Sequence, residues 1–153
     1  MKLQYLLLFI IFFTLPTVKV SGQTYDGFAK GKKGGIYFLI DSSGHEYKLA
    51  TRVEQLDPSI TALDLQGKKL KEIPKGVFLH RQLKVLLLNF NQLTTLPPEI
   101  GNLTNLTYLS LDGNKLMTLP PDIRKLINLT SLDLDNIQLT TLPPEFGDRK
   151  SVV

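Results

Sequence analysis

The sequence predicts an α/β-type repeat solenoid made of four copies of one unit, with a β-hairpin before the first copy. When the 153-residue sequence is shifted by 23 positions, aliphatic residues align with aliphatic residues in successive copies. Inside each copy the leucine spacing fits neither the period of two of a strand nor the 3.6-residue period of a helix. A fixed period of this length is typical of a solenoid, in which stacked coils bury a shared core.

Three leucine columns define the repeat. They are Leu63, Leu86, Leu109 and Leu132; Leu65, Leu88, Leu111 and Leu134; and Leu70, Leu93, Leu116 and Leu139. In the third copy Leu109 and Leu111 alternate with Tyr108, Ser110 and Asp112, which predicts a short strand with one buried face. The third column then marks the point where the returning limb touches the core.

Asparagine occupies the bend after the predicted strand in the two middle copies, at Asn91 and Asn114. A buried asparagine amide can bond the backbone groups that a turn leaves without partners. We therefore predict that both asparagines are structural. Lys68 and Ile137 stand at this position in the first and last copies, which is expected because terminal copies are often atypical.

The unit LTYLSLDGNKLMTLPPDIRKLIN follows the pattern LxxLxLxxNxLxxLPxxIxxLxN and resembles the leucine-rich repeat family. Its 23-residue form is similar to that of secreted bacterial leucine-rich repeat proteins and of intracellular Ras-linked scaffold proteins. The resemblance implies that 59–148 forms a short arc with a parallel sheet on its concave side. It implies a convex side that is irregular or built of short helices. It also implies a binding module without catalysis.

The N-terminus has the anatomy of a secretory signal peptide over residues 1–22. Lys2 precedes an apolar run from Leu3 to Leu15, and small residues precede Gln23. The run is shorter than the ~20 residues that a membrane-spanning helix needs, although an uncleaved anchor remains the alternative. The prediction is a secreted, cell-surface or periplasmic chain with no stable membrane span after cleavage. Without cysteine, the chain has no residue for a lipid tether.

The segment before the repeats divides into two predicted parts. Residues 23–35 are basic and rich in glycine, which predicts a flexible leader. Residues 36–58 contain two β-rich runs around DSSG, which predicts a hairpin that caps the first coil. An alternative role is an independent binding element in which Lys30, Lys32 and Lys33 contact an anionic surface. Residues 149–153 form a short tail without an obvious cap.

The composition argues against catalysis. The chain has no cysteine and two histidines, and it lacks the HExxH, GxSxG and phosphate-loop motifs. We therefore expect no cofactor and no metal. The formal charge of +4 includes Lys2 and Lys19, so cleavage leaves 4 − 2 = +2, too little to indicate nucleic acid. Three NLT sequons arise from the repeat itself, and Asn105 and Asn128 are expected to hold backbone at the coil corner.

The predicted binding site lies on the concave face, where side chains between the strand leucines point outward. An apolar group rimmed by carboxylates predicts a patch that recognises a basic or neutral protein. The residues are Val85, Leu87, Phe90 and Tyr108, with Asp112, Asp133 and Asp135 at the rim. Two alternatives stay open: self-association into a homo-oligomer through the last strand, at 129–135, and a truncated piece of a larger repeat protein.

Overall fold

The computed structural model describes residues 19–25 and 27–140, with side chains from residue 27 onward. The chain divides into two compact units, one up to Leu49 and one from Ala50 onward. None of the helices in the described ranges is long and apolar enough to cross a membrane. The strands pair antiparallel in the first unit and in parallel in the second.

The first unit is an antiparallel meander. Its strands are β1 (Lys19–Tyr25), β2 (Phe28–Lys33), β3 (Ile36–Ile40) and β4 (Glu46–Ala50). Gly34 and Gly35, with φ of 57° and 82°, form the two-residue turn between β2 and β3. Positive φ at both central residues matches the twist of a tight hairpin, which explains why glycine stands there.

The prediction of a flexible leader over 23–35 is wrong, because β2 and the end of β1 occupy most of it. Its glycines serve the hairpin turn, and the residues before them pair with β3 from Ala29↔Ile40 to Lys33↔Ile36. The predicted hairpin over 36–58 corresponds to β3 and β4. Residues 1–18 of the predicted signal peptide lie outside the described ranges, and the predicted cleavage point after Gly22 falls within β1.

The second unit is a repeat arc with one short strand in each coil, as the sequence predicts. The strands are β5 (Ala62–Asp64), β6 (Val85–Leu87), β7 (Tyr108–Ser110) and β8 (Ser131–Asp133). They pair in parallel, and the register joins Leu63 to Leu86, Leu86 to Leu109 and Leu109 to Leu132. The 23-residue period is therefore the register of the sheet itself.

The convex side consists of short 3₁₀ turns at Lys75–Leu79, Pro98–Asn102 and Pro121–Lys125, with a further one at Val53–Gln55. Pro98 and Pro121 begin their turns, where a missing N–H costs nothing. Ile100 and Ile123 reach inward from these turns into the leucine core. Each fully buried core side chain contributes about 1.5–3 kcal/mol relative to exposure.

Asn91 and Asn114, predicted to be structural, tie neighbouring coils together. Asn91 Nδ2 donates to the carbonyls of Leu65 (2.9 Å) and Leu88 (2.8 Å), in the preceding coil and in its own. Asn114 Nδ2 repeats this with Leu88 (3.0 Å) and Leu111 (2.8 Å). Their Oδ1 atoms accept from the N–H groups of Leu70 and Leu93. Each amide thus bonds backbone on two coils.

A second row of polar side chains joins the coils just before each strand. Asn105 Nδ2 donates to the carbonyl of Arg81 at 2.9 Å, and Asn128 Nδ2 donates to that of Thr104 at 2.8 Å. Thr107 and Thr130 hydroxyls donate to carbonyls of the coil before them. The prediction that Asn105 and Asn128 hold backbone is confirmed.

Candidate functional site

The predicted apolar patch is wrong at Val85 and Leu87, because both side chains have an exposed fraction of 0%. They stand on either side of Leu86, the core leucine of β6, and do not belong to the leucine core. The alternation in the sequence therefore predicts correctly that Val85 and Leu87 point away from the leucine core, but not that both are buried. β6 lies between β5 and β7, and side chains on a concave face converge, so neighbouring strands contribute to this burial.

Phe90 follows β6 and is the exposed aromatic residue of the second coil, with 56% of its surface accessible. Its backbone is left-handed, with φ of 56°, a conformation that costs about 1–2 kcal/mol for a residue with a Cβ. The equivalent positions hold Gly67 (φ 65°), Gly113 (φ 63°) and Asn136 (φ 52°), residue types that tolerate it. Phe90 is therefore the strained member of an otherwise permissive column.

A hydrogen bond to the next coil accompanies this conformation in the first three coils. Gly67 donates its N–H to the carbonyl of Asn89 at 3.0 Å, and Phe90 donates its N–H to that of Asp112 at 2.8 Å. Gly113 donates likewise to Asp135 at 3.1 Å. This bond ties the backbone of Phe90 to the third coil.

The Phe90 ring packs against the next coil at Gly113. A Cβ added to Gly113 would lie 2.6 Å from Phe90 Cδ1 and 3.1 Å from Cε1. Because Gly113 has no side chain, the Phe90 ring occupies the space where a Cβ would otherwise lie. Phe90 is thus braced on one side and exposed on the other.

Tyr108 does not join Phe90 in one cluster. It is half-buried and begins β7, five positions before Gly113 along the same coil, so it lies toward the opposite end of the strand. With Val85 and Leu87 buried between them, the predicted four-residue patch is not formed. Among the four residues of the predicted patch, Phe90 is the one that is largely exposed.

The three predicted carboxylates differ in access. Asp112 is buried and accepts a hydrogen bond from Asn136 Nδ2 at 2.9 Å. Asp133 is half-buried and accepts from the Ser110 hydroxyl at 3.2 Å. Asp135 is exposed at the end of the same coil. The accessible negative charge therefore lies on the fourth coil, at Asp133 and Asp135, whereas Asp112 is buried in the third coil.

Asn89 is a buried polar residue that the site prediction missed, with an exposed fraction of 1%. Its Nδ2 donates to Gln66 Oε1 at 3.0 Å, but its Oδ1 has no hydrogen-bond partner among the described residues. An unpaired buried acceptor costs about 1–3 kcal/mol. The polar column Gln66, Asn89, Asp112 and Asp135 was the signal in the sequence.

The loop between β3 and β4 brings together Ser43, His45 and Asp41, the residue types of a hydrolytic triad. Ser43 Oγ donates to Asp41 Oδ1 at 2.6 Å and lies 2.6 Å from His45 Nδ1. In a triad the imidazole stands between hydroxyl and carboxylate and uses both ring nitrogens. Here the carboxylate binds the hydroxyl directly, and both side chains meet Nδ1. The arrangement is a turn, not a nucleophilic centre.

Tyr47 completes this turn by donating its hydroxyl to Asp41 Oδ2 at 3.0 Å. Burial and this hydrogen bond raise the pKa of Tyr47 to about 12. Burial alone would raise the pKa of Asp41, but the hydrogen bonds from Ser43, the His45 backbone and Tyr47 outweigh it and lower that pKa. Over the described ranges, no group of three His, Cys, Asp or Glu side chains could hold a metal ion.

Comparison with known proteins decides the family. Two leucine-rich repeat models match the sequence, over residues 58–116 and 128–148. The chain is a leucine-rich repeat protein. A solved leucine-rich repeat protein of Leptospira interrogans is similar to it, with 34% identity and a TM-score of 0.54.

That similarity covers 65% of this leucine-rich repeat chain and 32% of the Leptospira chain, so it spans about a third of the latter's length. Among curated proteins, none matches the sequence. Both matches begin after the antiparallel meander and leave it outside.

Proposed function

We propose that this leucine-rich repeat protein is a secreted or cell-surface binding module without catalytic activity, and that Phe90 anchors its protein partner. The observation that carries the proposal is the exposed phenylalanine in a left-handed position that its counterparts fill with glycine or asparagine. A residue kept in a strained conformation points to a functional reason for its side chain. Large aromatic side chains are also typical anchors of protein interfaces.

The support under Phe90 strengthens the case for an anchor. The ring rests on Gly113 and the backbone is tied to Asp112. A side chain that is already ordered loses little conformational entropy when a partner covers it. The partner therefore meets a preformed aromatic knob.

The polar groups around the coil ends favour a basic or neutral partner. Asp133 and Asp135 bring accessible carboxylates to the fourth coil. Both accept hydrogen bonds, so lysine, arginine or backbone N–H groups of a partner are the natural donors. Rim charges of this kind govern the association rate more than the affinity.

The test is a capture experiment with the chain recovered from the envelope and medium of expressing cells. Wild-type protein is compared with Phe90→Gly, which removes the ring and the backbone strain together. Leu79→Gly is the control, because Leu79 is an exposed apolar residue (82%) on a convex turn. A partner that binds wild type and Leu79→Gly but not Phe90→Gly supports the proposal. Equal capture by Phe90→Gly refutes it.

A second candidate is self-association through the last described coil. In the sheet, Leu88 N–H donates to Ser110 and Leu111 N–H to Asp133, so each coil offers the next one the same donor. Leu134 holds this position in the fourth coil. Sedimentation over a range of concentrations tests the idea, and a strictly monomeric chain at all concentrations excludes it.

A further inference from the structure

We propose that the basic hairpin tip, defined as Lys30–Tyr37 at the β2–β3 turn, docks on a phospholipid surface with anionic headgroups. This surface belongs to the antiparallel meander and is independent of the Phe90 site. The proposal rests on how lysines and apolar side chains alternate around one tight turn. It does not depend on the protein partner proposed above.

One face of the tip combines an aromatic ring with two lysines. Lys32 pairs directly with Tyr37 across the ladder, and its Nζ lies 4.8 Å from the ring centroid. Lys30 Nζ lies 5.9 Å from the same centroid. The cation–π contacts hold both ammonium groups beside a tyrosine that is 46% exposed.

The other face repeats the combination with an aliphatic residue. Lys33 pairs with Ile36, which is 41% exposed next to the Gly34–Gly35 turn. Successive residues of a strand point to opposite faces, so Ile36 and Tyr37 present apolar surface on both sides of the tip. Tyrosine and lysine are also the residues that anchor proteins at a membrane interface, where lysine stems lie in apolar surroundings and the charge stays in water.

Charge is separated along the hairpin. Between residues 27 and 49, the acidic residues are Asp41 and Glu46, and both lie beyond the opposite end of β3 or pair with it there, as Ile40↔Glu46. Asp41 is also engaged by Ser43 and Tyr47. The lysines of the tip therefore act together on an approaching anionic surface.

The exposed isoleucine selects a lipid surface over a soluble polyanion. A polyphosphate or an acidic polysaccharide would pair with Lys32 and Lys33 but would offer Ile36 no apolar contact. A bilayer interface offers both, because headgroup phosphates lie directly above acyl chains. The combination of both contacts at one turn commits the proposal to phospholipid.

The absence of tryptophan from the chain makes a direct test possible. Ile36→Trp places a single tryptophan in the tip, and Leu79→Trp places one at an exposed position of the repeat arc as a matched control. Both full-length proteins are mixed with vesicles of phosphatidylglycerol and phosphatidylcholine, or of phosphatidylcholine alone. We expect a blue shift of tryptophan emission only for Ile36→Trp and only with the anionic vesicles.

A charge series tests the electrostatic half of the proposal. Lys32→Gln/Lys33→Gln should weaken vesicle binding by about tenfold or more, since each lysine near an anionic membrane strengthens binding by roughly fivefold. Lys68→Gln/Lys71→Gln removes two exposed lysines from the first coil and should leave binding unchanged. Circular dichroism checks that each variant is folded, and Tyr37→Trp replaces Ile36→Trp if the latter is not.

Three results would overturn the proposal. Equal blue shifts at both tryptophans would mean that the tip is not the contact. Equal binding to phosphatidylcholine alone, unchanged by the lysine substitutions, would assign lipid binding to another part of the chain. Competition by soluble heparin, with no blue shift on vesicles, would make the tip a polyanion site instead.

Discussion

The ring of Phe90 packs over Gly113, its counterpart in the next coil, so closely that an added Cβ there would lie 2.6 Å from Cδ1. Two positions that are equivalent in the repeat are thus coupled, one through its side chain and the other through its lack of one. Both backbones are left-handed, with φ of 56° and 63°. This pair can be dissected because the first coil offers an uncoupled copy at Gly67.

Gly113→Ala should destabilise the repeat arc more than Gly67→Ala. Both glycines have positive φ, so both substitutions carry the left-handed penalty of about 1–2 kcal/mol. A Cβ at Gly67 meets nothing within 4 Å, whereas one at Gly113 meets Phe90. We expect overpacking to add about 1–3 kcal/mol at Gly113. Urea denaturation measures both, and equal losses would contradict the contact.

Phe90→Gly should leave the free energy of unfolding unchanged or raise it by about 1 kcal/mol. Glycine removes the left-handed strain, and this gain offsets the lost contact of the ring with Gly113. The N–H bond to Asp112 remains, because it comes from the backbone. Thermal and urea unfolding give the answer. A loss above about 2 kcal/mol would mean that the ring is mainly structural.

Asn91→Leu should destabilise the chain much more than Asn89→Leu, although the residues are two positions apart and both buried. Asn91 bonds the backbone of Leu65, Leu88 and Leu70, with a longer contact to the Asn89 carbonyl at 3.4 Å, so its loss should cost about 3 kcal/mol or more. Asn89 leaves an acceptor unpaired, so leucine should be neutral within about 1 kcal/mol. Equal effects on denaturation midpoints would refute this distinction.

Tyr47 should titrate near its raised pKa of about 12 in the folded chain. A raised folded pKa stabilises the fold while the phenol stays protonated. This contribution is therefore complete below the ordinary tyrosine pKa of about 10 and is lost as the pH rises through the folded value. Asp41→Asn should move the pKa back toward the ordinary value. Ring resonances followed by NMR provide the measurement, and an unchanged pKa in Asp41→Asn would exclude the carboxylate as a cause.

Export of the chain should leave a protein that begins at Gln23, if the N-terminal pattern acts as a signal peptide. Mass spectrometry of the chain recovered from the cell envelope or medium identifies the first residue. A chain that still carries Met1 would favour an uncleaved anchor. A chain that begins at or before Lys19 would keep all of β1, including the four residues that cleavage after Gly22 removes.

The repeat arc could be predicted in detail because its period is also its sheet register. Leu63, Leu86 and Leu109 align in the sequence and pair in the structure. Asn91 and Asn114 followed from chemistry, since a buried amide at a bend has few other uses. In both cases one local pattern, repeated, carried the information.

The candidate site was harder to predict because it depends on what is not repeated. Burial of Val85 and Leu87 depends on the curvature of the sheet, which alternation does not encode. The strain at Phe90 could not be predicted, because the sequence does not show that its position is left-handed. The φ angles of Gly67, Gly113 and Asn136 show this. β2 was not predicted because its lysines and glycine are more typical of a linker than of a strand.

The carbonyl of Leu88 accepts hydrogen bonds from both Asn91 and Asn114. These two side-chain amides therefore link the first three coils into one cooperative unit. The equivalent position in the fourth coil is Ile137, which has no side-chain amide to make these bonds. That coil is bonded to the third through groups nearer the surface, Ser110 with Asp133 and Asn136 with Asp112, and lacks the buried amide that joins the other coils. Unfolding should begin there and travel backward, and native-state amide exchange in β8 should be faster than in β6. We therefore expect Asp133 and Asp135 to lie on the coil that opens first, so that a partner bound to them slows its opening.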